Sequence, residues 1–205
     1  MHTNLCSIYT GLSLMFFRGC YKLLRKNNVT PVLSENIPCL IHACLSTIIS
    51  GYALINYNPQ TYYFMGQFTA GYMISDLIHI FKKTGASLSI PLIGHHIVTC
   101  ITLSLPHNMK VPFSLFLAES SNIPNNFTYL LIKAKANPAL IKKIKTIQFY
   151  SFLIGRVVAI PIVIWAYNDI PAFSETDKSI MNLSTIFLYS MSVFWSYKLY
   201  IGLNK

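Results

Sequence analysis

The chain has few charged residues. Of its 205 residues, 11% are Asp, Glu, Lys or Arg and 53% are hydrophobic, and acids are scarcest, with six Asp and Glu against sixteen Lys and Arg. Soluble domains carry roughly 25% charged residues, so lipid is expected to cover much of this surface. The composition therefore indicates an integral membrane protein. We expect a single transmembrane domain over residues 1–205, with no separate soluble domain beside it.

Several motifs of soluble chemistry are also absent. The chain has no Gly-rich phosphate loop, no nucleophile-elbow serine and no CxxC pair. Its five cysteines are an odd number in apolar segments, which argues against a disulfide framework and a zinc site. The basic residues lie in short clusters between apolar runs, as in the cytosolic loops of multi-pass proteins. The sequence therefore predicts no metal, no cofactor and no nucleic-acid partner.

About seven apolar segments are candidates to cross the hydrocarbon core, which takes roughly 17 to 25 residues. They predict an all-α fold, a multi-pass transmembrane helical bundle around a lipid-accessible cavity. The first segment is the weakest, and we interpret it as a retained span because no basic region precedes it and no small-x-small cleavage site follows. The segments lie near 4–20, 37–55, 62–81, 89–106, 111–132, 146–167 and 179–203.

Basic residues alternate between the connections. They follow the first, third and fifth segments and occur at the C-terminal end, whereas the connections at 56–61, 107–110 and 168–178 hold almost none. Under the positive-inside rule, the N-terminus is lumenal and the C-terminus cytosolic. Asn28 and Asn182 each begin a glycosylation sequon, and this orientation predicts that Asn28 faces the cytosol.

Two adjacent histidines, His95 and His96, lie in the apolar run Ile90–Ser104. Ionisable groups at membrane depth are costly and mark candidate functional sites. Neighbouring helical residues point about 100° apart, so we predict one imidazole as base or nucleophile and the other as a positioned partner. Thr99 lies one turn past His95. The alternative is that both histidines only join helices. The other histidines are isolated, so a metal site is not predicted.

Asp76 and His79 stand three residues apart and share a helical face. Asp76 is a candidate to orient a histidine, as the acid of a triad does. The alternative is a structural pair with a histidine or with Arg156. Arg156 itself lies in mid-span and is predicted to form a structural ion pair with Asp76 or Glu119.

Glu119, Asn122 and Asn126 recur at i, i+3 and i+7 and predict a polar stripe. The stripe lines a cavity or makes interhelical hydrogen bonds, and the spacing favours neither. His42 is alone on its helix and is predicted to be a packed histidine. The aromatic residues of the last segment, Trp195 among them, are typical of packing and of the membrane interface.

Four segments together resemble the TLC-domain family, which includes the ceramide synthases and smaller TLC-domain membrane proteins. They are IHA at 41–43, GYMISDLIHI at 71–80, GHHIVT at 94–99 and AESSNIPNNF at 118–127. The resemblance covers approximately 32–203 and implies helices around a cavity for a long acyl chain, with His95 and His96 as the reactive pair and Asp76 nearby. After HHIVT the synthases carry a cluster of aspartates. Here only Glu119 and the Asn-rich stripe follow, as in the smaller members.

These observations predict a protein of lipid homeostasis in the endoplasmic reticulum membrane that binds a membrane lipid or acyl chain. One alternative is an N-acyltransferase of ceramide-synthase type, with acyl-CoA as substrate. Another is a lipid transporter or structural membrane protein, and a homodimer is left open. The catalytic candidates are His95, His96 and Asp76. The candidates for lipid or substrate binding are His79, Thr99, Glu119, Asn122, Asn126, Arg156 and Trp195.

Overall fold

The computed structural model describes residues 2–56, 58–84, 90–104, 110–165 and 174–203, and every element within these ranges is helical. This confirms the all-α prediction. Each of the seven apolar segments is helical within the described residues, and the sixth is divided among three successive helical elements; 89, 105–106 and 166–167 lie outside the described residues. The helices are α1 His2–Lys26, α2 Pro31–Asn56, α3 Pro59–Thr84, α4 Ile90–Ser104, α5 Lys110–Lys133, α6 Pro138–Phe152, a π-helical segment Leu153–Val158, α7 Ala159–Trp165 and α8 Glu175–Leu203.

Local signals set several helix ends. Proline begins α2, α3 and α6, where its missing N–H removes no helical bond. Asn137 caps α6, since its side chain accepts a hydrogen bond from the Ala139 N–H at 2.8 Å. Two residues after the last residue of α1 and of α5, the backbone takes a left-handed conformation, at Asn28 with φ 57° and at Lys135 with φ 51°. The following N–H groups then bond back across the turn, as in Schellman motifs.

Helix α1 packs closely against α3. A Cβ at Gly71 would lie 2.6 Å from both the Ser13 Cβ and the Thr10 carbonyl oxygen. The Ser13 hydroxyl donates to the Phe68 carbonyl at 2.6 Å, and Thr10 hydrogen-bonds to Gln67. Helices in membranes associate through such small residues and interhelical hydrogen bonds. The first apolar segment is therefore an integral part of the bundle.

The polarity of the bundle is reversed relative to a soluble protein. Large apolar side chains point outward, such as Ile55, which is 79% exposed, and Leu183, which is 69% exposed. The interior instead holds many hydroxyl, amide and ionisable groups. Among the described helices, only Leu33–Asn56 is long and apolar enough to cross a membrane by length and composition, while Ile90–Ser104 is apolar but shorter.

The π-helical segment interrupts the sixth apolar segment. The Ala159 N–H bonds to the Ile154 carbonyl, five residues back. Pro161 follows, and its ring supplies no N–H to the next helical turn. Arg156 lies inside this segment and is 4% exposed. Single π-helical turns are frequent at functional sites, and this one carries a cation into the interior of the bundle.

Candidate functional site

The helices form a cavity of about 550 Å³ with many polar and ionisable side chains in its wall. Its wall contains most of the ionisable residues that the apolar segments carry. We call it the large cavity. The residues that line it come from α2, α3, α4, α5, α6, the π-helical segment and α8, and include His42, Tyr72, Asp76, His95, His96, Glu119, Asn122, Asn126, Arg156, Trp195 and Lys198.

His96 and Asp76 form a buried pair across α4 and α3. The His96 Nε2 lies 2.7 Å from the Asp76 Oδ2, and the Tyr21 hydroxyl donates to the Asp76 Oδ1 at 2.8 Å. A carboxylate only accepts hydrogen bonds, so neutral His96 carries its proton on Nε2. Its Nδ1 is then a lone pair, and this buried atom has no hydrogen-bond partner among the described residues.

His95 has a different environment. Its ring centroid lies 5.5 Å from that of His96 and 5.4 Å from that of Trp195, with the Trp195 contact edge to face. In the part of the chain that the structure describes, neither the His95 Nδ1 nor the Thr99 hydroxyl has a hydrogen-bond partner. The two neighbouring histidines thus have unlike surroundings, one fixed by an acid and one held by aromatic contact.

A second buried histidine also faces an acid. The His42 Nδ1 lies 3.6 Å from the Glu119 Oε2, and its Nε2 lies 3.0 Å from the Ser46 hydroxyl oxygen. The imidazole stacks on Tyr72 with ring centroids 3.9 Å apart. The sequence reasoning treated His42 only as a packed residue and missed its place in the cavity wall. The signal was available, because His42, Ser46 and Ser50 recur every four residues and form a polar stripe of their own.

Glu119 and Arg156 are linked through an amide. The Asn122 Nδ2 donates to the Glu119 Oε2 at 3.0 Å, and an Arg156 Nη donates to the Asn122 Oδ1 at 2.8 Å. Arg156 also donates to the Ser121 hydroxyl and the Ala118 carbonyl. The predicted direct ion pair of Arg156 with an acid is therefore wrong for the described residues. Neutral oxygens of α5 satisfy the guanidinium, and Asn122 lies between the two charges.

The remaining predicted residues divide into two groups. Asn126 and Trp195 line the large cavity, and the Asn126 Nδ2 donates to the Asn122 carbonyl at 3.0 Å. His79 faces elsewhere. Its Nε2 lies 3.3 Å from the Glu35 Oε1 and its ring stacks on Tyr21 at 4.5 Å. Asp76 and His79 therefore lie on one face of α3 but bind different residues, Asp76 to His96 and His79 to Glu35.

A smaller apolar cavity of about 130 Å³ adjoins the large cavity. Four residues, Met73, His95, Glu119 and Arg156, line both. We call this smaller space the apolar chamber. The surface of its remaining wall is mostly hydrocarbon, with five hydroxyl groups and one amide, and includes Thr99, Leu103, Leu115, Ile160, Met181, Asn182, Thr185 and Leu188.

Tyr21 and Cys39 are site residues that the sequence reasoning missed. Tyr21 comes from α1 and binds Asp76, and Cys39 accepts a hydrogen bond from the Tyr72 hydroxyl at 3.0 Å. No spacing rule connects α1 to α3, so Tyr21 had no signal in the sequence. Within the described ranges, no cluster of three or more His, Cys, Asp or Glu side chains has metal-binding geometry.

An all-α bundle with an apolar exterior and a polar, histidine-containing interior is the architecture of a protein that lies in a membrane. The chain belongs to the TLC domain family, which matches residues 30–200. The members of this family are membrane proteins whose roles are connected with membrane lipids. Helix α1, which supplies Tyr21, precedes the matched region. Comparisons with curated proteins and with solved structures gave no match.

Proposed function

We propose that this protein binds a membrane lipid or acyl chain within the bundle and thereby acts on membrane lipid composition. The observation that carries the proposal is the meeting of the two cavities at His95. One side of this residue is a polar wall with Asp76 and His96, and the other side is the apolar chamber. An amphiphile with one polar group and one hydrocarbon tail fits such a division.

Unpartnered polar atoms at the junction support the same reading. The His95 Nδ1, His96 Nδ1 and Thr99 hydroxyl are buried and have no hydrogen-bond partner within the described residues. A buried polar group without a partner costs about 1–3 kcal/mol. The hydroxyl, amide or ester group of a lipid would satisfy these atoms while its tail occupies the apolar chamber.

The binding test fills the apolar chamber. Thr185 lines the chamber, whereas Ile186, the next residue, is 63% exposed on the outer surface. We expect Thr185→Trp to reduce the lipid that copurifies with the protein, as measured by mass spectrometry of extracted lipids. Ile186→Trp adds the same indole outside the bundle and is expected to leave that lipid unchanged. Equal lipid content in both variants would refute an internal acyl site.

The second candidate function is N-acyl transfer from acyl-CoA, and the Asp76–His96 pair favours it. With its proton on Nε2 held by Asp76, His96 offers Nδ1 as a base to a substrate amine. The amine nitrogen attacks the thioester carbon, the carbon–sulfur bond breaks, and the histidine passes the proton to the leaving thiolate. His95 is the candidate to position the carbonyl, since it lies beside His96 at the mouth of the apolar chamber.

The enzymatic test gives labelled acyl-CoA and a long-chain amine to the purified protein. We expect N-acyl product from the wild type, and a loss of roughly 10²- to 10⁴-fold in His96→Ala, the range of general acid–base catalysis. Ile97→Ala alters an exposed neighbour on α4 and serves as the control. Copurified lipid without product in any variant would leave lipid binding and remove acyl transfer.

The orientation belongs to the same proposal. With the C-terminus in the cytosol, Lys198 places a cation in the part of the large cavity on the cytosolic side. We place the protein in the endoplasmic reticulum membrane with its N-terminus in the lumen. The test is the Asn28 sequon, which lies in the α1–α2 turn. Glycosylation of Asn28 in cells would refute this orientation. Lack of glycosylation at Asn28, in a protein whose engineered lumenal sequon is glycosylated, would support it.

A further inference from the structure

A third cavity, of about 240 Å³, lies between α1 and α3, on the other side of Tyr21 from the large cavity. Two facing stripes form its wall, and we call it the basic pocket. Each stripe has the spacing i, i+3, i+4 and i+7, which puts its residues on one face of the helix. The stripes are Arg18, Tyr21, Lys22 and Arg25 from α1, and Ser75, Ile78, His79 and Lys82 from α3.

The charge of the basic pocket is of one sign. Half of its wall residues are Lys or Arg, and none is acidic. The nearby acids are engaged, because Asp76 binds Tyr21 and His96 while Glu35 binds His79. No ion pair joins the four cations to a carboxylate in the described parts of the chain. Concave sites lined by charge of one sign concentrate the potential and attract counter-ions.

Topology alone does not account for this arrangement. The positive-inside rule requires basic residues near helix ends, and lysines such as Lys142 and Lys143 on α6 meet that requirement without lining the large cavity, the apolar chamber or the basic pocket. In the basic pocket the cations instead converge from two helices on one space. Convergence of this kind is what recognition of a multiply charged anion needs.

Ser75 is a second, independent observation. It lines the basic pocket and is 2% exposed, and its hydroxyl has no hydrogen-bond partner within the ranges that the structure describes. A buried hydroxyl without a partner costs about 1–3 kcal/mol. An anion with oxygen acceptors would satisfy this donor as well as neutralise the cations around it.

We propose that the basic pocket binds a phosphate group. Arg18 and Arg25 offer planar guanidinium forks that match phosphate oxygens, Lys22 and Lys82 add point charges, and the Ser75 hydroxyl donates. The phosphate has two sources, the headgroup of an anionic phospholipid or a soluble phosphate compound. Tyr21 forms part of the pocket wall and donates to Asp76, so one side chain separates the bound phosphate from the acid of the large cavity.

The test measures binding of two probes to the full chain in detergent. The probes are a short-chain phosphatidic acid and inorganic pyrophosphate, titrated by calorimetry. The pocket variant Arg18→Gln/Lys82→Gln removes one cation from each helix. The control Lys142→Gln/Lys143→Gln removes the same charge from the exposed face of α6. We expect the pocket variant to weaken binding about tenfold, since charge-assisted contacts to phosphate are lost, and the control to change little.

The outcomes separate the two sources. Binding of phosphatidic acid well above that of pyrophosphate identifies a lipid headgroup, and the reverse order identifies a soluble phosphate. Equal weakening by the pocket variant and the control, or no binding of either probe to the wild type, overturns the proposal. Where the double variant does not fold, Ser75→Ala takes its place. That change removes only an unpartnered hydroxyl, and it is tested beside the single substitution Lys82→Gln. Unchanged affinity for both probes in both of these variants also overturns the proposal.

Discussion

Two histidine–acid pairs face the large cavity, and they are built differently. His96 meets Asp76 at 2.7 Å, and a tyrosine holds the other oxygen of that carboxylate. His42 lies 3.6 Å from Glu119, and its other nitrogen is engaged by Ser46. The first pair fixes a tautomer and leaves one nitrogen free of partners among the described atoms. In the second pair the Ser46 hydroxyl engages one imidazole nitrogen and the carboxylate lies beyond hydrogen-bond distance of the other, so its geometry fits a structural part of the wall.

The difference teaches that burial of a histidine beside an acid does not by itself define a reactive site. Glu119 is tied to Arg156 through Asn122, which gives the second pair a charge-balancing network within the bundle. Asp76 has no such cation beside it within the described contacts, only hydrogen-bond donors. Substitutions at the two acids therefore have unequal consequences.

The largest expected effect is that of Asp76→Ala. Removal of the carboxylate leaves His96 and the Tyr21 hydroxyl without their partner, and each unsatisfied buried group costs about 1–3 kcal/mol. We expect a loss of about 3 kcal/mol in the free energy of unfolding, on the scale of those two groups. The measurement is equilibrium unfolding in mixed micelles. Glu175→Ala removes an acid whose side chain is 88% exposed, and a loss as large there would contradict this account.

Arg156→Met is expected to rank second. It leaves the Asn122 amide oxygen without its donor, whereas the Ser121 hydroxyl still donates to the Ala118 carbonyl at 2.7 Å. We therefore expect a loss of about 2 kcal/mol in the free energy of unfolding. The Met side chain keeps part of the packing on Phe152, over which the guanidinium lies at 4.6 Å. The same unfolding assay tests it, with Lys198→Met as the control, since that change removes an exposed cation whose only recorded contact among the described residues is with the Phe194 ring. Equal stability of both variants would mean that the network around Glu119 contributes little.

Tyr21→Phe tests the His96–Asp76 pair by removing one oxygen atom, that of the Tyr21 hydroxyl. It removes a single hydrogen bond to Asp76 and leaves His96 in place, so we expect a loss of about 1 kcal/mol. Tyr52→Phe, at a tyrosine that is 55% exposed, is the control. A double-mutant cycle with Asp76→Ala measures the coupling. If the effects of the two substitutions were additive, Tyr21 would not act through Asp76.

Glu119→Gln is expected to have the smallest effect, about 0.5 kcal/mol, because the change is isosteric and the Arg156 guanidinium keeps its hydrogen bonds to the neutral oxygens of α5. The new amide still presents an oxygen to the Asn122 Nδ2, and the distance of 3.6 Å to His42 is too long for a short hydrogen bond. The comparison is with Asp76→Asn. An amide nitrogen cannot accept a hydrogen bond, so either the Tyr21 hydroxyl or the His96 Nε2–H loses its acceptor there. A greater loss in Glu119→Gln than in Asp76→Asn would reverse the ranking of the two pairs.

The sequence was most informative where it was most unusual. Polar residues are conspicuous in apolar runs, so His95, His96 and Asp76 could be singled out, and helical periodicity placed Glu119 and Asn122 on one face. Periodicity does not say which helices are neighbours in space. It could not choose between His96 and Arg156 as the partner of Asp76, and it could not bring Tyr21 from α1 to that carboxylate. Likewise, the sequence predicted an acid as the partner of Arg156. It could not show that three neutral oxygens of α5 converge on the guanidinium, because that convergence arises only when the helices pack.

The π-helical segment has a consequence for how this chain tolerates insertions and deletions. Its wide turn contains in effect one residue more than an α-helix of the same rise. A one-residue deletion between Leu153 and Val158 would therefore turn the segment into an ordinary α-helix and leave the helix beyond it in its present phase, with Ile162 still on the outer surface, where it is 61% exposed. The same deletion within α6 or α7, where no wide turn takes up the change, would rotate the helix beyond it by about 100°. The segment is thus a place where the chain can lose one residue and keep the packing on either side.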